Sequence, residues 1–147
     1  SRKKLRVKIY VRIPRGHLEQ EIKRILVDSS ECDSIIHGCE KFLSALDNSF
    51  LADDIELAIG LSNQSEPTLK CTAFYVSEEF GSSVATTALK RYMESIGYDS
   101  TLLQSLISSA SNGIEEAVVM KQCIHGAGIE LNKEGIPKLN IYVRPLL

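Results

Sequence analysis

Leu5-Arg6-Val7-Lys8-Ile9-Tyr10-Val11-Arg12-Ile13 decides the fold class. Apolar side chains fall at every second position, from Leu5 to Ile13. Between them stand Arg6, Lys8, Tyr10 and Arg12. Strict period-two alternation is the pattern of a β-strand with one buried face, because successive side chains leave a strand on opposite sides. The other face is unusual, with three cations and one phenol.

The pattern changes after Pro14 and Gly16. Leu18, Ile22, Ile25 and Leu26 recur at helical spacing. A second helix is expected from a cap at Ser29 or Ser30, with Ile35, Ile36, Cys39, Phe42, Leu43 and Leu46 as its apolar stripe. Asp47 to Asp54 is polar and interrupts the pattern. Ile55 to Leu61 and Leu69 to Val76 read as a strand hairpin around the turn Asn63-Gln64-Ser65-Glu66-Pro67. Gly81 opens a helix that Gly97 closes. Leu102, Leu103, Leu106, Ile107 and Ala110 mark another, ending at Asn112-Gly113. A strand follows within Ala117 to Leu131, centred on Lys121 to Glu130. Asn132-Lys133-Glu134-Gly135 turns the chain, and Lys138 to Arg144 returns.

The order is strand, two helices, hairpin, two helices, hairpin, and it reads as a repeat. Lys8-Ile9-Tyr10-Val11, Ala73-Phe74-Tyr75-Val76 and Asn140-Ile141-Tyr142-Val143 share an aromatic-valine core. Gly16 and Gly81 each follow their tyrosine by six residues. The expectation is a single α+β domain over residues 1–147. It holds about two and a half ααββ units: a strand at 1–14, a first repeat at 15–81 and a second at 82–147. Helices cover the apolar sheet face. Registering the strands by their tyrosines puts Cys71, Ala73 and Tyr75 on the opposite face. Lys138, Asn140, Tyr142 and Arg144 join them there from the last strand. If the sheet curls into an antiparallel barrel, that face becomes a lumen.

Composition narrows the function. The chain has 147 residues, 17 basic and 19 acidic, with 44% hydrophobic residues. That is ordinary for a globular domain able to build its own core. A net charge of −2 gives no general attraction for nucleic acid. No apolar run approaches the length of a membrane helix, and no membrane partner is expected. Cys32, Cys39, Cys71 and Cys123 show no zinc spacing and read as reduced thiols of a cytoplasmic protein. His17 and His37 lack ligand-spaced partners. His125, beside the Gly126-Ala127-Gly128 run, reads as structural, and that run as a bulge or a close helix approach. Asp53-Asp54 reads as a solvated pair. A cationic lumen lined with phenols suits an anionic ligand that carries an apolar or cationic reacting part.

Arg6-Val7-Lys8-Ile9-Tyr10 resembles the Arg-x-Lys-x-Tyr strand of ABBA-type aromatic prenyltransferases of the dimethylallyltryptophan synthase kind. The segment from His125 through Asn132 to Lys138-Leu139-Asn140-Ile141-Tyr142-Val143-Arg144-Pro145 is similar to the closing hairpin of bacterial indole prenyltransferases. The resemblance implies a ten-stranded antiparallel barrel ringed by helices, and transfer of a dimethylallyl-type group from an allylic diphosphate to an aromatic acceptor. Arg6 and Lys8 would then bind diphosphate, while Tyr10, Tyr75 and Tyr142 shield the allylic cation. Arg12, Lys138 and Arg144 are further candidate diphosphate cations by their place on the polar face. No cofactor and no metal are expected. Five strands are half of such a barrel, so the chain is expected to be the C-terminal half of a longer enzyme, or to share a barrel with a second copy or another polypeptide. The alternative is a ferredoxin-like α+β sandwich serving as a noncatalytic binding or assembly module.

Overall fold

The computed structural model describes residues 3–26, 32–46, 51–64, 67–75, 81–105, 124–131 and 137–143. Five strands form one antiparallel sheet: β1 Arg6–Pro14, β2 Leu51–Ser62, β3 Thr68–Tyr75, β4 Ile124–Leu131 and β5 Pro137–Val143. Their order in the sheet is β1-β2-β3-β4-β5, each strand beside its neighbour in sequence. The sheet is open. β1 and β5 are its edges, so these strands do not close a barrel by themselves.

After β1 comes a short 3-10 turn, Arg15–His17, then α1 Leu18–Ile25 and α2 Cys32–Ala45 before β2. After β3 comes α3 Gly81–Ser95, and residues 101–105 are also helical. The expected strand–helix pair–hairpin order is present. The proposed Ser29 or Ser30 cap lies outside the described residues, as do the turn at 132–135 and the whole segment 106–123 with Cys123. β2 begins at Leu51, earlier than the polar Asp53-Asp54 pair suggests. The β1 ladder runs on to Asp54 opposite Pro14, and Leu51 pairs with Tyr75 across a register irregularity. Gly97 closes the segment after α3 with φ +85°, a left-handed conformation that only glycine adopts cheaply.

Alternation sorts the sheet into two faces. One carries the cross-strand rows Ile9–Ile59–Leu69–Leu131, Val11–Leu57–Cys71–Ile129–Leu139 and Ile13–Ile55–Ala73–Ala127–Ile141. Leu18 and Ile22 of α1, Ile36, Cys39, Phe42 and Leu43 of α2, and Leu89, Tyr92 and Met93 of α3 join these strand residues in one buried cluster. All three helices therefore lie on this face. Phe42 and Tyr92 meet edge to face at 5.3 Å, locking α2 to α3. A Cβ on Gly38 would stand 2.5 Å from Leu131, so α2 rests closely on β4. Contact with the Cys39 thiol and burial together push the Cys71 thiol well above its usual range. Cys32, Cys39 and Cys71 are all free thiols.

Cover fails along β1. Ile13 is 6% exposed, but Ile9 is 44% and Val7 45%. Leu5 and Leu61 are exposed beside them. The start of β1 is nonetheless tied down. Leu5 N–H donates to Asn63 Oδ1 at 3.1 Å, and Asn63 Nδ2 donates to the Lys3 carbonyl at 3.3 Å. No helix among the described residues is long and apolar enough to cross a membrane.

Candidate functional site: a cationic trough on the open face

The face turned away from the helices holds Arg6, Lys8, Tyr10 and Arg12 on β1, and Glu56, Ala58, Gly60 and Ser62 on β2. β3 gives it Lys70, Thr72 and Phe74, β4 Gly126, Gly128 and Glu130, and β5 Lys138, Asn140 and Tyr142. A trough of about 300 Å³ crosses this face. Among the described residues it is lined by Arg6, Lys8, Lys70 and Lys138, with Glu130 as its acid. Ala58, Gly60, Ser62 and Thr68 are also part of its wall.

Small residues make the hollow. A Cβ on Gly60 would lie 2.5 Å from Thr68 Oγ1, and one on Gly128 would lie 2.7 Å from Thr72 Oγ1 and 2.9 Å from Lys70 Cε. A Cβ on Gly126 would lie 2.5 Å from the Ala73 carbonyl oxygen. Thus Gly126 and Gly128 leave a gap on β4 between the larger residues of β3 and β5. The two glycines belong to the open face, whereas Ala127 between them belongs to the helix-covered core. The bulge expected there is present, as a register irregularity between Ile124 and Gly126.

Lys70 crosses that gap. Its Nζ donates to the Tyr142 hydroxyl and lies 4.7 Å from the centre of the Tyr142 ring. Arg6, Lys8 and Lys138 form no ion pair among the described residues. Glu130 sits opposite Lys70 on β3 and Lys138 on β5, and is the one acid lining the trough among the described residues. Four cations facing one acid on a hollow surface make a field that favours an anion. Ammonium and guanidinium groups offer phosphate oxygens charge-assisted hydrogen bonds.

The structure divides the expected site residues. Arg6, Lys8 and Lys138 line the trough. Tyr10 and Tyr142 lie on the same face. Arg12 shares the face but not the trough. Its guanidinium lies 5.4 Å from the centre of the Phe74 ring, in a second hollow lined also by Asp53, Asp54, Tyr75 and His125. Phe74 and His125 rings are 5.4 Å apart there. Arg144 lies outside the described residues. Cys71 and Ala73 lie in the helix-covered core rather than on the open face; Tyr75, in the same phase of β3, packs against that core and also borders the second hollow.

The tyrosine of β3 is out of phase with those of β1 and β5 relative to the faces of the sheet. Leu69, Cys71 and Ala73 are the apolar phase, so Lys70 and Thr72 are the open one. Phe74, not Tyr75, falls in the row of Gly126 and Tyr142. Followed strictly, that alternation finds Lys70, which tyrosine matching misses.

Among the described residues, no three His, Cys, Asp or Glu side chains gather to hold a metal. No protein-family model, curated protein or solved structure matches the chain.

Proposed function

We propose that this chain forms the diphosphate-binding wall of an ABBA-type aromatic prenyltransferase, as half of its barrel. The observation that carries the reading is the trough in which Arg6, Lys8, Lys70 and Lys138 converge on a hollowed sheet face. Sequential strand order supports it as well. Addition of hairpin after hairpin at one edge, with helices on one side, is how a strand meander grows toward closure. A ferredoxin-like sheet instead inserts strands between sequence neighbours, so the order favours the half-barrel.

In the proposed reaction an allylic diphosphate ionises by breaking its carbon–oxygen bond. The bonding electrons leave with diphosphate, whose growing charge the four cations stabilise. The allylic cation is attacked by an electron-rich carbon of an aromatic acceptor, and the acceptor then loses a proton. Tyr10 and Tyr142 lie on the same side of the sheet, where aromatic rings would help to shelter a cation from water. Completion of the lumen falls to further strands at the β1 and β5 edges.

Calorimetric titration with dimethylallyl diphosphate tests the reading. Arg6→Ala and Lys8→Ala are each expected to weaken binding about tenfold, the scale of one charge-assisted hydrogen bond. Undiminished affinity in both variants contradicts it. One observation favours a second reading, a noncatalytic assembly module. β1 is an edge strand with Leu5, Val7, Ile9 and Leu61 uncovered, a surface able to receive another chain. Self-association of the chain with no affinity for any diphosphate would favour that module.

A further inference from the structure

The Tyr142 hydroxyl has a use on this face that carbocation shielding does not account for. Lys70 starts on β3 and ends at Tyr142 on β5, two strands away, passing over Gly128 of β4. The close approach of a Gly128 Cβ to Lys70 Cε marks the path: any side chain there would obstruct the lysine. Glu130 is the cross-strand neighbour of Lys70, yet the ammonium is taken by the phenol, and Lys70 forms no ion pair among the described residues. That choice has an electrostatic consequence. A carboxylate partner would cancel the lysine's charge toward a ligand, whereas a neutral hydroxyl and a ring face fix its position and leave the charge intact.

We propose that Tyr142 is a positioning residue, which holds the Lys70 ammonium over the Gly128 gap so that it meets the phosphoryl oxygens of the ligand in the trough. The inference rests on the diphosphate reading above, and it assigns Lys70 as a ligand-contacting cation and Gly128 as the void it needs. Holding one rotamer in advance removes ordering entropy that a free lysine would lose on binding.

Inorganic pyrophosphate, titrated calorimetrically into the chain, is the probe, with folding of each variant checked by its amide NMR spectrum. Lys70→Ala and Tyr142→Phe are each expected to lower affinity, Tyr142→Phe by about tenfold if the hydrogen bond to a charged group is lost. The phenylalanine keeps the ring, so a purely shielding tyrosine predicts no change. In a Lys70→Ala background the Tyr142→Phe effect is expected to vanish, because the two residues act as one unit. Gly128→Ala gives an independent check, weakening binding only while Lys70 is present. The inference is overturned if Tyr142→Phe leaves affinity unaltered, or if either effect persists at full size without Lys70. If Lys8→Ala and Lys70→Ala both bind pyrophosphate as the parent does, the diphosphate site itself is refuted. Loss in Lys8→Ala with none in Tyr142→Phe refutes only the positioning role.

Discussion

The two faces of this sheet share one backbone and differ in everything the side chains supply. Across the middle of the sheet, Leu57, Cys71 and Ile129 stand in a single row under the helices with almost no exposure. One residue along each strand, on the other side, Ala58, Lys70 and Glu130 form a row that borders the trough. The helix side is filled to stabilise the fold, and the open side is emptied by glycine and alanine and furnished with charge. The contrast implies that stability and binding are separable here. Substitutions on one face should move folding, and those on the other should move affinity.

The largest expected effect is on the filled face. Leu57→Ala or Ile129→Ala should cost about 2–5 kcal/mol of unfolding free energy, measured by urea denaturation, because each leaves a cavity in a packed interior. Lys138→Ala on the open face should stay within about 0.5 kcal/mol. A similar loss for both would dissolve the distinction between the faces.

Gly126→Ala probes where the faces meet. Its Cβ would press on the Ala73 carbonyl oxygen, a backbone atom that cannot turn aside. Overpacking of this kind should cost about 1–3 kcal/mol, read by the same method.

β1 offers an internal gradient. Ile9 and Ile59 are cross-strand neighbours on the helix side, but Ile59 is buried and Ile9 half open. Ile9→Ala should therefore destabilise the isolated chain distinctly less than Ile59→Ala, since less area leaves water at Ile9 on folding. Equal losses would mean that something already covers Ile9.

Tyr92 gives the helix side a pH signature. Burial pushes its phenol from 10.0 to about 12. The folded protein keeps this proton more tightly than the unfolded chain. Its contribution is therefore complete below pH 10.0 and is lost as pH rises toward about 12. Tyr92→Phe should flatten the fall in melting temperature across that window. An unchanged alkaline profile would place the proton loss elsewhere.

The smallest effect belongs to exposed Asp99. The Thr101 N–H donates to its carboxylate at 2.9 Å and holds it below its usual range. The resulting support for the turn at 101–105 is present at neutral pH and fades as pH falls through the depressed value. Asp99→Ala should slightly lower the melting temperature at pH 7, with the difference shrinking in acid.

Much of this architecture is legible in the sequence because the strands alternate cleanly. Leu5 to Ile13 declares two faces by itself, and the apolar stripes of α1 and α2 declare what covers one of them. Arg6, Lys8 and Lys138 follow directly from that phase. What the residues do not declare is phase across strands. Tyr75 looks like Tyr10 and Tyr142 in its local motif, yet it lies on the buried side, since Lys70 and Thr72 take the open positions of β3. The irregularities at Leu51/Ile55 and Ile124/Gly126 are likewise invisible, because a bulge shifts register without changing composition. The glycines are conspicuous in sequence, but their use becomes plain only when Lys70 is seen lying over Gly128. Whether a sheet closes depends on strands beyond these five, which alternation within one strand does not encode.

The most direct measurement follows backbone amides by NMR as inorganic pyrophosphate is added. If the open face grips a diphosphate, saturable shifts should concentrate on Arg6, Lys8, Gly60, Lys70, Gly128 and Lys138, while buried positions of α2 and α3 stay still. Absence of saturable shifts, or shifts spread evenly over both sides of the sheet, would contradict the claim that this face is a diphosphate site.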